Sequence, residues 1–196
     1  MEAAILRGQG KSTSGASLEY VSLEVMLPNS IAVIIETETD NRLRTLADLR
    51  LVIKFHGGNV TPTSYLFQKK GRVVFEQDER NLGVDEVLDD AIEAGAEDVE
   101  TDEDGSIVVW TEPASTIAAA TALSKSKGLK IQSSDIIWDP NEDTIVPFES
   151  QEALQSFVEF VDQVQQDAAV QGVYANIAQG KAEDGAWADL MEKLAV

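Results

Sequence analysis

Residues 91–113, AIEAGAEDVETDEDGSIVVWTEP, decide how this chain is read. The segment opens at the end of an amphipathic helix that starts at Val84 and runs to Ala94. Asp98–Thr101 then reads as a strand, Asp102–Gly105 as a tight turn, and SIVVWT as the returning strand. A second helix is expected over Ala114–Lys125, and the β-rich run LKIQSSDIIW over residues 129–138 supplies another strand. With a strand at Arg72–Glu76 in front, the order from Arg72 to Trp138 is β-α-β-β-α-β, the split βαβ arrangement of ferredoxin-like domains. A second β-α-β-β-α-β frame spans Ser106 to Ile177, and pattern alone does not choose between the two.

Outside this frame, residues 1–16 read as a helix end, EAAILRG, followed by a Gly/Ser-rich linker. Two strands follow, Leu18–Met26 and Ile31–Glu38. The next helix carries a capping-box pattern, Thr45 with Asp48 three residues on. Leu46, Leu49 and Ile53 form its apolar stripe, and Gly57-Gly58 its left-handed stop. Strands at Ser64–Gln68 and Arg72–Glu76 are expected to be joined by a turn at Lys69-Lys70-Gly71. Beyond Trp138 come a short strand near Thr144–Phe148, a long helix Gln151–Gln165, and the strand VQGVYANI. From Gln179 a polar linker leads to one short amphipathic helix carrying Trp187, Leu190, Met191 and Leu194, expected to pack on the body of the protein.

The 196-residue chain is 43% hydrophobic and 26% charged, enough apolar material for a sizeable core. The absence of cysteine excludes disulfides, thiolate zinc sites and cysteine nucleophiles, and fits a reducing compartment. A single histidine and no G-x-S-x-G leave no triad and no usual zinc site, so neither an enzyme nor a metal or cofactor is expected. Gly8-Gln9-Gly10-Lys11-Ser12 lacks the leading glycine of a phosphate loop and follows a helix, so its likeness to that motif is chance. Glu100, Asp102, Asp104 and Gly105 imitate half of a calcium loop, but Thr111 stands where the closing glutamate belongs, leaving an acidic hairpin turn. Asn59-Val60-Thr61 forms a glycosylation sequon followed by Pro62, with no secretory signal before it.

A net charge of −20, from 35 acidic and 15 basic residues, opposes phosphate binding by the surface as a whole. The charge is segregated, however. Asp85 to Asp104 contains eleven acids and no base, whereas Thr37 to Arg72 contains seven Lys/Arg and three acids. The basic set is Arg42, Arg44, Arg50, Lys54, Lys69, Lys70 and Arg72. It reads either as an ordinary solvated helix face with a charged turn or as a phosphate-facing patch. Tyr65 and Phe67 alone interleave it with rings, so base stacking is not indicated. His56, at the helix C-terminus, reads first as a dipole-compatible cap.

Five collinear stretches resemble the YebC/PmpR family: AILRGQGK (4–11), AVIIETETDNRLRTLADLRLVIKFHGGN (32–59), FQKKGRVVF (67–75), AIEAGAEDVETDEDGSIVVWTEP (91–113) and VQGVYANI (170–177). The resemblance implies an α+β fold in which one ferredoxin-like domain is inserted in another α+β domain. It therefore favours residues 71–138 as the insert, 17–70 plus 139–178 as its host, 1–16 as the remnant of an N-terminal helical domain, and 179–196 as a tail. It also implies a non-enzymatic translation factor acting with mRNA and ribosome, in the mitochondrial branch a translational activator of cytochrome c oxidase in the matrix, and otherwise a cytoplasmic protein. A DNA-binding transcriptional regulator, as some bacterial relatives are described, is the alternative.

On that reading Arg42, Arg44, Arg50, Lys54, His56, Asn59, Lys69, Lys70 and Arg72 would contact RNA or ribosome. The acidic insert would face away or meet basic ribosomal proteins, with no membrane partner and little scope for DNA without the basic helical domain. Val25-Met26-Leu27-Pro28-Asn29-Ser30 stands where the family shows a glycine-rich loop, putting side chains where glycine allows close approach.

Overall fold

The computed structural model describes residues 17–77, 80, 82–102 and 104–195; the expectations for residues 1–16 lie outside them. The chain is α+β and forms two compact units. One is the continuous stretch Lys69–Asp139, and the other joins the residues before it to those from Pro140 onward.

The first unit is built on a four-stranded sheet. Strand β1 (Glu19–Met26) pairs antiparallel with β2 (Ala32–Thr39), Glu19 opposite Thr39 and Met26 opposite Ala32. The short β3 (Asn59–Val60) lies outside β1, and β9 (Val170–Ala175) lies outside β2, giving the order β3-β1-β2-β9. Alternation in β1 sends Val21, Leu23 and Val25 to one face, where Val33, Ile35 and Val173 join them in the core. Helices α1 (Arg42–Phe55) and α4 (Gln151–Gln165) contribute Leu49 and Ile53, and Leu154, Phe157, Phe160, Val161 and Val164, to the same core. The Ser150 side chain caps α4 by accepting from the Ala153 amide at 3.3 Å. The expected C-terminal helix is α5 (Asp184–Met191). Its Leu190, and Leu194 just beyond, are buried in this core, while Trp187 packs against it. A two-stranded parallel ribbon of β8 (Val146–Pro147) and β10 (Ile177–Ala178) completes the unit.

One local expectation is corrected here. Helix α1 begins at Arg42, and its cap is Asn41, whose side chain accepts from the Arg44 amide at 3.1 Å. Thr45 cannot cap because it is buried one turn inside the helix, where its hydroxyl meets that of Thr39 at 2.8 Å. The connection from β1 to β2 puts Asn29 and Ser30 at φ of 62° and 63°. This loop has no glycine, yet it keeps a left-handed backbone that asparagine tolerates and serine rarely adopts.

The second unit follows the order β4 (Phe67–Phe75), α2 (Val84–Glu93), β5 (Ala96–Thr101), β6 (Ile107–Thr111), α3 (Thr116–Lys127), β7 (Ile131–Pro140). The strands lie β5-β6-β4-β7, the ferredoxin-like arrangement. Val73, Phe75, Val99, Ile107 and Val109 from the sheet close on Val87, Ala91, Ala120 and Leu123 from the two helices. The hairpin turn is held by Asp102, whose carboxylate accepts from the amides of Asp104 and Ser106 at 3.1 and 2.7 Å.

No turn exists at Lys69-Lys70-Gly71. Residues Phe67–Phe75 form one continuous strand, preceded by a single 3-10 turn at Ser64–Leu66. Gly71 is there for packing: a Cβ at this position would overlap the hydroxyls of Thr111 and Thr116. Those two hydroxyls bond each other at 3.0 Å where the start of α3 crosses the sheet. Glycine followed by charge reads as a turn in sequence, whereas in the sheet it is a close approach.

Candidate nucleic-acid interface

In the first unit the candidate cations Arg44, Arg50 and Lys54 sit on α1 away from its buried stripe, and Arg42, in line with Leu49, opens the first turn. Leu49 and Ile53 face the core, and the Asn41 cap sets where the helix starts, so Arg42, Arg44, Arg50 and Lys54 are all exposed. Arg44 and Asp40, which stands just before the Asn41 cap, make a weak exposed pair at 3.3 Å. Arg42, Arg50 and Lys54 form no salt bridge among the described residues. They are fully available to an anion.

The same face carries Leu43, Leu51 and Phe55, which are 81%, 71% and 77% exposed. Gly57, at φ 74°, ends the helix, and Asn59 lies exposed in β3 opposite Met26.

His56 does not belong to that outer face. It occupies the C-cap position of α1, with its ring edge-on to Phe55 and Phe160 at centroid distances of 5.3 and 5.5 Å. Its Nε2 is buried and has no hydrogen-bond partner among the described residues. The ring borders a cavity of about 80 Å³ shared with Leu27, Pro28, Asn29, Phe157 and Phe160.

Lys69, Lys70 and Arg72 belong to the second unit, in the middle of β4. The Lys69 ammonium stands 4.4 Å above the Trp138 ring. Lys70 pairs with Asp139 at 2.6 Å and lies 5.9 Å from the Trp110 ring. Arg72 is directly opposite Trp110 in the β4–β6 ladder and 5.9 Å from its ring, while the Trp110 Nε1 donates to Glu100 at 2.8 Å.

These three cations are bound into the unit by aromatic faces and a carboxylate. The rings that accompany them are Trp110 and Trp138, distant in sequence, and not the neighbouring Phe67, which is 6% exposed. Tyr65 is exposed but lies in the first unit. Sequence proximity missed both tryptophans because only strand pairing places them; the alternation of Trp110 within SIVVWT was the one available signal. The exposed Leu43, Leu51 and Phe55 of α1 carried a signal of their own in their spacing of eight and four residues.

Residues 18–177 match the family model described as TACO1/YebC second and third domain. A probable transcriptional regulatory protein of Lacticaseibacillus casei (strain BL23) is 34% identical over 162 residues, covering 81% of this chain and 65% of that protein. One of the same description from Mycobacterium sp. (strain KMS) is 35% identical over 179 residues, covering 90% and 69%. The crystal structure of a conserved hypothetical protein from Aquifex aeolicus matches with a TM-score of 0.71 and 33% identity, over 90% of this chain and 71% of that one. The chain thus spans about two thirds of the length of these relatives.

Proposed function

The chain belongs to the TACO1/YebC family, and from that premise we propose that it is a non-enzymatic regulator of gene expression that contacts RNA through α1. The observation that carries this reading is the set of three exposed cations, Arg42, Arg50 and Lys54, that form no salt bridge among the described residues, on one helix of a chain whose net charge is −20. Arginine forks and an unpaired lysine suit phosphate oxygens, and they act without any catalytic group. Arg44 joins them once its exposed pair with Asp40 opens. Lys69, Lys70 and Arg72 each lie beside a tryptophan ring of the second unit. Acting with mRNA on the ribosome, as a translational activator, is the finer form of the proposal. In it, the acidic α2 and β5 meet basic ribosomal proteins. The relatives compared are bacterial, so the mitochondrial matrix rests on the sequence resemblance alone.

A second reading has its own support: bacterial relatives are named probable transcriptional regulatory proteins, which points to duplex DNA. Salt dependence separates the two. Four phosphate contacts on single-stranded RNA give a slope of log K on log salt of about −3, lost in Arg42→Glu/Arg50→Glu. The test is titration of the full chain with an oligouridylate, a ribosomal RNA hairpin and a duplex DNA, paired with ribosome co-sedimentation. Unchanged ribosome and RNA binding in the charge-reversed variant sinks the RNA assignment. Salt-sensitive binding to duplex DNA alone moves the function to transcription.

A further inference from the structure

Leu43, Ala47, Leu51 and Phe55 recur at four-residue intervals along the outer face of α1 and are all exposed. At 1.5 Å per residue they make a continuous ridge about 18 Å long, on the opposite side of the helix from Leu49 and Ile53. Arg50 and Lys54, each three residues after a ridge position, form a cationic row along one side. Along the other side run Arg44 and Asp48, with Arg44 already satisfied by Asp40.

A phosphate backbone engages the cations and leaves the aliphatic side chains in water, since of the four only Phe55 has a ring on which a base can stack. A second copy is a poor occupant. An antiparallel twofold pair sets the Arg50–Lys54 row against its own image, and a parallel pair sets it against Arg44 and Asp48, whose opposite charges offer it no net attraction. An anionic bilayer is opposed by the charge of −20.

We propose that the outer face of α1 is a docking surface for an amphipathic helix of another protein, one whose apolar stripe is bordered on one side by Asp or Glu. Such a helix lays its stripe along Leu43, Ala47, Leu51 and Phe55 and sets its carboxylates against Arg50 and Lys54. Charge complementarity fixes its register and excludes a basic partner helix. The surface shares its cations with the proposed RNA contact, so the two ligands compete.

The test uses the full chain and a fluorescent synthetic helix bearing a leucine stripe with glutamates along one side, read by anisotropy. A control peptide replaces the glutamates by lysine. The expected result is saturable binding in the micromolar range, at least about tenfold tighter than the control. Leu51→Ser/Phe55→Ser weakens it about tenfold or more. Arg50→Glu/Lys54→Glu reverses the preference between the peptides. All four positions are exposed, and circular dichroism checks that the variants remain folded.

Absence of saturation up to millimolar peptide overturns the proposal, as does equal affinity of the serine variant. Loss of oligouridylate binding, or of binding to phosphatidylglycerol vesicles, in the serine variant assigns the ridge to RNA or to membrane instead, and likewise overturns it. RNA binding that survives the serine substitutions but fails in Arg50→Glu/Lys54→Glu, with no peptide binding, sinks the docking surface and leaves the RNA contact standing.

Discussion

The two units use their positive charge in opposite ways. On α1 of the first unit, Arg42, Arg50 and Lys54 project from a helix whose inner face alone does the folding. In β4 of the second, Lys69, Lys70 and Arg72 lie among Trp138, Asp139 and Trp110. A residue that folding does not need is open to function; one held by a ring and a carboxylate is already engaged. Local charge density, nearly the same in both places, does not distinguish them.

The comparison is most strongly tested in the cores. Phe160→Ala in the first unit and Phe75→Ala in the second remove fully buried rings and should each cost about 3–5 kcal/mol. Native-state hydrogen exchange should show protection falling first in the unit that carries the change. Equal loss in both would mean that they unfold as one.

Gly71→Ala comes next. Its Cβ has nowhere to go but into the Thr111–Thr116 contact, at a cost of about 1–3 kcal/mol by thermal or denaturant unfolding. Were residues 69–71 a turn, the change would be nearly neutral.

Glu24 in β1 provides a pH test for the first unit. Partial burial pushes its carboxyl up, but the amides of Ser64 and Thr63, at 2.8 and 2.6 Å, pull it further down, below the ordinary glutamate value. A carboxyl depressed in the folded state stabilises above its unfolded value, about 4.3, and that contribution is lost as pH falls through the folded value. Glu24→Gln should therefore lower stability at neutral pH by about 1–2 kcal/mol and flatten the acid limb of the unfolding curve below about pH 4.

Asn41→Ala should cost about 1 kcal/mol and Asp48→Ala less than about 0.5, which tests the reassigned cap directly. Smallest of all is the contrast between cations. Lys70→Gln should cost about 0.5–1 kcal/mol with a change in tryptophan fluorescence, and Arg50→Gln less than about 0.5 with none. If Arg50→Gln proves the more costly, the division between free and engaged cations fails.

Much of the architecture is legible in the chain. The strand SIVVWT, the Asp102–Gly105 turn and the long helix Gln151–Gln165 are local signals, and the structure repeats them almost residue for residue. Errors arose where one residue type serves two purposes. Gly71 resembled a turn and is a close contact. Thr45 resembled a cap and is a buried hydroxyl paired with Thr39.

Of the candidate site, Arg44, Arg50 and Lys54 were legible because a helix period shows which residues its inner stripe excludes. The partners of Lys69, Lys70 and Arg72 were not, since Trp110 and Trp138 reach them only through strand pairing.

The sequence by itself determined the order of strands and helices outside residues 64–76, the split between an acidic and a basic segment, and the family. Periodicity and turn chemistry act over a few residues, so they survive without knowledge of what packs where. Only the tertiary structure decided which cations are free, that His56 turns toward Phe160, and that Leu43, Leu51 and Phe55 are left in water. Those outcomes depend on neighbours brought from far along the chain, and no local pattern encodes them.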